Sequence, residues 1–160
     1  MPLDFLPGHF IFIDILKKIA HNNKNLVIAS TDAGGAGRCR EVASHLNAGL
    51  VIIDKRRQVD NKAEVMNVIG NVEGCTVIIY DDICDTGGSL CNAAKALSDK
   101  GAVAVYGCVT HPVLSNNALE RIRDSCFTEL YVSNTIPVSE EMLAKTNSKL
   151  KIANASEVIA

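Results

Sequence analysis

Short runs of consecutive apolar residues, each followed by a glycine-rich or polar loop and then by apolar residues at helical spacing, recur along this chain. Leu26 to Ser30 is one such run. The loop Thr31 to Gly37 follows it, and Cys39, Val42, Ala43 and Leu46 then share one helix face. Leu50 to Asp54 and Cys75 to Tyr80 repeat the strand pattern, and Leu90, Ala93, Ala94 and Leu97 give the inner stripe of a helix that Gly101 ends. Ala102 to Thr110 and Thr128 to Ser133 predict further strands, separated by a helix carrying Leu119 and Ile122. Ahead of these, Phe12, Ile15, Leu16 and Ile19 predict an amphipathic helix that Asn22 and Asn23 end. Strands that are apolar on both faces and alternate with helices belong in a mostly parallel sheet with helices on either side. The expectation is a three-layer α/β fold.

The alternation breaks between Lys55 and Gly74. A polar stretch, Lys55 to Ala63, leads into Glu64 to Ile69, which alternates like a half-exposed strand, and the pair predicts a loop or hairpin protruding from the domain body. In open sheets of this kind ligands bind beyond the carboxyl ends of the strands, where loops meet helix N-termini. That directs attention to Thr31 to Arg38, Lys55 to Ala63, Asp81 to Ser89 and Thr110 to Asn116.

A chain of 160 residues predicts one domain spanning residues 1–160. With 21% charged residues and a formal net charge of −2, it lacks the basic surface that nucleic acid or an anionic membrane would require, so a small-molecule partner is expected. The six cysteines form no C-x-x-C pair and read as small apolar packing residues in a reducing compartment. No apolar run reaches membrane-spanning length, and Met1 to His9 lacks the regions of a secretory signal, so the expected location is the cytoplasm.

Chemistry concentrates in Val77-Ile78-Ile79-Tyr80-Asp81-Asp82-Ile83-Cys84-Asp85-Thr86-Gly87-Gly88-Ser89. Adjacent acids at a strand end precede a tight turn that opens a helix. Backbone N–H groups in such a turn can surround a phosphate, with the Thr86 and Ser89 hydroxyls as extra donors and the glycines allowing close approach. Asp81 and Asp82 can accept hydrogen bonds from sugar hydroxyls or hold a magnesium ion through water. An ordinary strand-to-helix turn capped by Asp85 or Ser89 is the plainer reading of the same residues.

The whole run resembles the phosphoribosyl pyrophosphate signature of the type I phosphoribosyltransferase fold. Ser30-Thr31-Asp32-Ala33-Gly34-Gly35-Ala36-Gly37-Arg38, Ile53-Asp54-Lys55-Arg56-Arg57, Val68-Ile69-Gly70-Asn71-Val72, Thr110-His111-Pro112-Val113-Leu114-Ser115 and Ser133-Asn134-Thr135-Ile136-Pro137 extend the likeness over nearly the whole chain. Together they resemble the second domain of the ribose-phosphate pyrophosphokinase family, which makes phosphoribosyl pyrophosphate from ATP and ribose 5-phosphate. The resemblance implies that Asp81, Asp82, Asp85, Thr86, Gly87, Gly88 and Ser89 bind ribose 5-phosphate. It implies that Asp32, Gly34, Gly35 and Arg38 face the pyrophosphate, with Asp32 a ligand of Mg2+, and that Lys55 and Arg57 are a catalytic pair on a mobile loop. It also implies a homo-oligomer, and an ATP site built largely by another domain.

The sequence departs from the family's usual pattern at Gly87-Gly88-Ser89 and at Ser115-Asn116-Asn117-Ala118. Two alternatives stand beside the kinase reading. One is a phosphoribosyltransferase that consumes phosphoribosyl pyrophosphate, against which Asp32-Ala33-Gly34-Gly35 and Lys55-Arg56-Arg57 argue. The other is a noncatalytic subunit that keeps the sugar-phosphate pocket. Asp32 as a helix cap, Lys55-Arg56-Arg57 as a solvated basic loop, and His111 as a residue bonded within its own turn are the plain structural readings. Tyr80 and Cys84 are expected to be packing residues.

Overall fold

The computed structural model describes residues 8–57 and 64–155; the side chains of Arg57, Glu64 and Val65 are also outside the described set. A 3-10 turn, Gly8–Phe12, leads into α1 (Ile13–Asn22), after which strands and helices alternate. They are β1 (Leu26–Ser30), α2 (Ala36–Leu46), β2 (Gly49–Arg57), β3 (Glu64–Ile69), β4 (Thr76–Cys84), α3 (Gly88–Asp99), β5 (Ala104–Pro112), α4 (Ala118–Arg123), β6 (Glu129–Ser133), α5 (Glu140–Ala144) and β7 (Leu150–Ala153). The seven strands form one sheet in the order β3-β2-β1-β4-β5-β6-β7. Every described pairing is parallel except β2 with β3.

Strand alternation explains the layers. Val27 and Ala29 of β1, Val51 and Ile53 of β2, and Val77 and Ile79 of β4 join a cluster closed by Leu90, Ala93 and Leu97 of α3 and Ile122 of α4. Leu26, Ile28, Ile78 and Tyr80 turn the other way, onto Leu16 and Ile19 of α1 and Cys39, Val42 and Ala43 of α2. Ile78 and Ile79 are both fully buried, on opposite faces, and each stabilises the fold by about 2 kcal/mol through removal from water. Tyr80 and Cys84 are packing residues as expected, with the Tyr80 ring edge-on to Phe12 at 6.5 Å between centroids. Cys39, Cys84 and Cys108 are buried, while Cys126 is exposed.

Three features differ from the sequence reading. β4 runs on through Asp81 and Asp82 to Cys84, because β5 continues beside it, with Asp81 opposite Val109 and Ile83 opposite His111. β2 continues through Lys55 to Arg57, where a loop was expected, because β3 pairs with it antiparallel from Ile52–Ile69 to Arg57–Glu64. Met66 and Val68 pack on the α3 side of the core, which gives this hairpin a buried face; the rest of the expected loop, residues 58–63, is outside the described residues. Finally, α5 and β7 were not anticipated. Ser139 caps α5 by accepting a hydrogen bond from the Met142 N–H at 3.2 Å, and β7 adds a parallel strand beside β6. No helix among the described residues is long and apolar enough to cross a membrane.

Candidate functional site

The chain turns in opposite directions from β1 and β4: β1 connects through α2 to β2 on one side, and β4 connects through α3 to β5 on the other. Such a reversal leaves a crevice between the two strand ends. Here it is a cleft of about 220 Å3 lined by Thr31 and Asp32 after β1, Lys55 on β2, Asp81, Asp85 and the turn Thr86–Ser89. A wider groove of about 770 Å3 runs beside α3 and α4 past Asn92, Arg121 and Ser125, but it does not take in the acids of the strand ends.

The first wall is the loop into α2. The Gly35 N–H donates to Asp32 Oδ1 at 2.7 Å, and the Ser30 hydroxyl donates to the Asp32 carbonyl at 2.6 Å. Asp32 thus organises the loop ahead of α2 and is not its cap, which is Gly35, while its side chain remains on the cleft. Gly35 is required by space: a Cβ there would lie 2.8 Å from Ser30 Oγ and 3.6 Å from Arg38 Nη2. Arg38 in the first turn of α2 reaches Asp82 Oδ2 at 3.3 Å across an exposed ion pair.

Asp81 and Asp82 occupy successive strand positions and so project to opposite faces. Asp81 is held by the Thr31 hydroxyl, which donates to Oδ2 at 2.8 Å, and by the Asp82 N–H, which donates to Oδ1 at 2.8 Å. Burial pushes the Asp81 carboxyl above its ordinary proton affinity, and those two hydrogen bonds pull the other way without cancelling the shift.

The turn into α3 forms the second wall. Gly87 has φ +75°, a left-handed conformation, and its carbonyl accepts the Cys91 N–H at 2.9 Å as the helix begins. The unpaired N–H groups of a first helical turn are anion-binding donors. Longer-range contacts fix the turn: the Ser115 hydroxyl donates to Asp85 Oδ1, and Arg121 Nη1 donates to the Thr86 carbonyl at 2.9 Å. The Ser115 N–H also donates to the Asp85 carbonyl at 3.0 Å.

The fold therefore gathers Asp32, Lys55, Asp81, Asp85, Thr86, Gly87, Gly88 and Ser89 around one cleft, with Gly35 bonded to Asp32 and Gly34 beside it. Asp82 and Arg38 pair with each other and do not line that cleft. Arg57 ends β2, with its side chain outside the described residues. His111 Nδ1 lies 3.0 Å from Thr135 Oγ1 in the loop after β6, and so bonds beyond its own turn. Thr31, Ser115 and Arg121 were not singled out by sequence. Thr31 and Ser115 lie inside the quoted motifs, whereas nothing in the spacing points to Arg121.

Known proteins resemble this chain in sequence and in fold. Ribose-phosphate pyrophosphokinase of Campylobacter jejuni is 44% identical over 160 residues, covering 100% of this chain and 50% of that protein. The crystal structure of phosphoribosylpyrophosphate synthetase from Mycobacterium smegmatis superposes with a TM-score of 0.81 at 29% identity, covering 95% of this chain and 47% of that one. A purine phosphoribosyltransferase from Pyrococcus horikoshii shares the fold, with a TM-score of 0.55 at 19% identity over 71% of this chain and 79% of that one. The chain thus spans about half the length of the ribose-phosphate pyrophosphokinases it matches. The profile of the phosphoribosyl synthetase-associated domain matches residues 58–160, well over half of the sequence, and the chain belongs to that family.

Proposed function

We propose that this chain is the ribose 5-phosphate half of a ribose-phosphate pyrophosphokinase. The observation that carries the proposal is the left-handed Gly87 turn at the head of α3, sharing one cleft with Asp81 and Asp32 at the reversal point of the sheet. In this reading the turn from Asp85 to Ser89 holds the 5-phosphate through backbone N–H groups and the Thr86 and Ser89 hydroxyls. Asp81, on the cleft, accepts hydrogen bonds from the ribose hydroxyls, and Asp82, which pairs with Arg38 beside the cleft, is proposed to do so once the ligand draws that exposed pair apart. Gly34, Gly35 and Arg38 face the diphosphate.

The ribose 1-hydroxyl oxygen attacks the β-phosphorus of ATP, the bond from that phosphorus to the α–β bridging oxygen breaks, and AMP leaves. The sugar hydroxyl gives up its proton. Such a transfer depends mainly on positioning and on charge neutralisation. Lys55 enters the cleft from β2 and would meet negative charge developing on the transferred group; Arg57, on the same strand, is proposed as its partner.

Magnesium fits the residues at this cleft. The side chains of Asp32, Asp81 and Asp85 offer hard oxygen donors, and a cation beside Asp81 would offset the burial that raises its proton affinity. Asp32 is the proposed ligand. When bound, Mg2+ supplies charge neutralisation on the diphosphate.

ATP contacts come in this proposal from a part of the enzyme outside this chain. Residues 1–160 act as one phosphoribosyltransferase-like unit in a cytoplasmic homo-oligomer. Calorimetric titration with ribose 5-phosphate and with ribose, in magnesium, tests the core of the reading. Ribose 5-phosphate is expected to bind, ribose is not, and Ser89→Ala combined with Asp85→Ala should weaken binding at least about tenfold. Equal binding of the two sugars, or none, would overturn it.

A further inference from the structure

Away from the cleft, on the face covered by α1 and α2, His9, Glu41 and His45 come together, with one ligand atom of each lying within 4.8 Å of the others. Glu41 and His45 are four residues apart on α2 and so share a helix face. His9 reaches them from the 3-10 turn ahead of α1. Its ring centroid is 5.3 Å from that of His45, with the planes tilted by 37°.

His9 is only 3% exposed, and its Nε2 is the one buried side-chain nitrogen or oxygen among the described residues that has no hydrogen-bond partner. A buried imidazole nitrogen without a partner requires an explanation, and an unseen ion is one of the few available. We propose that His9, Glu41 and His45 form a binding site for a divalent transition-metal ion of the zinc type, which would pin the Gly8–Phe12 turn to α2.

The ligand chemistry selects this class. Paired imidazoles with one carboxylate suit zinc, cobalt and nickel, whereas magnesium and calcium favour oxygen donors throughout. Metal–nitrogen bonds of about 2.0–2.1 Å need ligand atoms closer together than 4.8 Å. Glu41 and His45 are exposed and have rotatable side chains that can make the adjustment, while buried His9 supplies the fixed point. His45 sits in the last turn of α2, where the helix dipole favours positive charge. Three protein ligands leave a coordination position for water.

The site is independent of the sugar-phosphate proposal and can be tested apart from it. Chelator-stripped protein is titrated with Co2+ while the visible d–d bands are followed, and with Zn2+ against a chromophoric chelator. The expected result is one equivalent bound, without a sulfur-to-cobalt charge-transfer band. Glu41→Gln and His45→Ala, both at exposed helix positions, should each weaken binding at least about tenfold. Zinc should raise the melting temperature of the parent by several degrees and leave that of the doubly substituted chain where it was. Absence of binding, a thiolate charge-transfer band, or undiminished affinity in His45→Ala would overturn the proposal.

Discussion

The Thr31 hydroxyl donates a 2.8 Å hydrogen bond to Asp81 Oδ2, joining the loop after β1 to the acid on β4 across fifty positions of sequence. It ties the loop of the first wall to the strand that leads into the second, and it opposes the burial that raises the Asp81 proton affinity. Thr31→Val keeps the shape and removes the donor. It should cost about 1–3 kcal/mol in urea unfolding and move the Asp81 titration further upward in a carboxyl-resolved NMR experiment. An unchanged Asp81 titration would mean that this bond does not set the carboxyl's environment.

The same carboxyl makes stability depend on pH in a definite direction. Asp81 binds its proton more tightly when folded than when unfolded, so its contribution to stability is greatest below the ordinary aspartate value of 3.8 and declines as pH rises through the folded value. Asp81→Asn removes that decline. Its unfolding free energy relative to the parent should therefore increase from acid to neutral pH, a trend measurable by urea titration at several pH values in the absence of magnesium.

Gly87 and Gly107 are required for different reasons, which alanine separates. At Gly87 a Cβ would meet nothing nearer than Ala118 at 3.8 Å, so Gly87→Ala costs only the left-handed backbone, about 1–2 kcal/mol. At Gly107 a Cβ would lie 2.4 Å from Leu130 Cδ1, and Gly107→Ala should cost about 1–3 kcal/mol by overpacking. Leu130→Val should recover part of the second loss and none of the first. Thermal unfolding of the two pairs of variants reads this directly.

Arg38 and Asp82 form an exposed pair, so Arg38→Ala should change stability by less than about 1 kcal/mol. Under the proposed function it should nevertheless weaken phosphoribosyl pyrophosphate binding at least about tenfold while leaving ribose 5-phosphate affinity nearly unchanged. Parallel calorimetric titrations separate the two ligands.

The thiols should differ sharply in reactivity. Burial pushes Cys39 up to about 11 and Cys84 up to about 12, and it raises Cys108 as well, whereas Cys126 is exposed. A thiol reagent at pH 8 should label Cys126 first and reach the three buried thiols only on unfolding, as mass spectrometry of timed samples would show.

What the sequence disclosed follows the range of the forces involved. β1, α2 and α3 were legible because a buried strand is an apolar run and a packed helix has an apolar stripe, both local patterns. The continuation of β4 through Asp81 and Asp82 was not, since acids interrupt such a run and only pairing with β5 keeps them extended. Lys55 looked like loop for the same reason, with β3 as the missing partner. α5 has no buried residue and β7 is four residues long, so neither makes a detectable pattern, although Ser139 ahead of Glu140 and Glu141 is a helix-start signal. Within the site, residues adjacent in the chain were found through their motif. The ties Thr31–Asp81, Ser115–Asp85 and Arg121–Thr86 span thirty to fifty positions, and no local pattern reports which hydroxyl or guanidinium will arrive.

The last register pair between β1 and β4 is Ala29 with Ile79, while β4 stays paired with β5 as far as Cys84 and Pro112. Beyond Ile79 the strand is a cantilever, paired in register with β5 along one flank and held on the other by side-chain contacts such as Thr31 with Asp81 and Arg38 with Asp82. The acids stand on the braced arm, so their position is inherited from β5 and is set before any ligand arrives. Ordering entropy that a loop-borne pair would lose on binding has already been lost in folding. Under the proposed function, recognition at this edge begins with an almost rigid surface, and substitutions in the loops around it alter what is bound without having to rebuild its foundation.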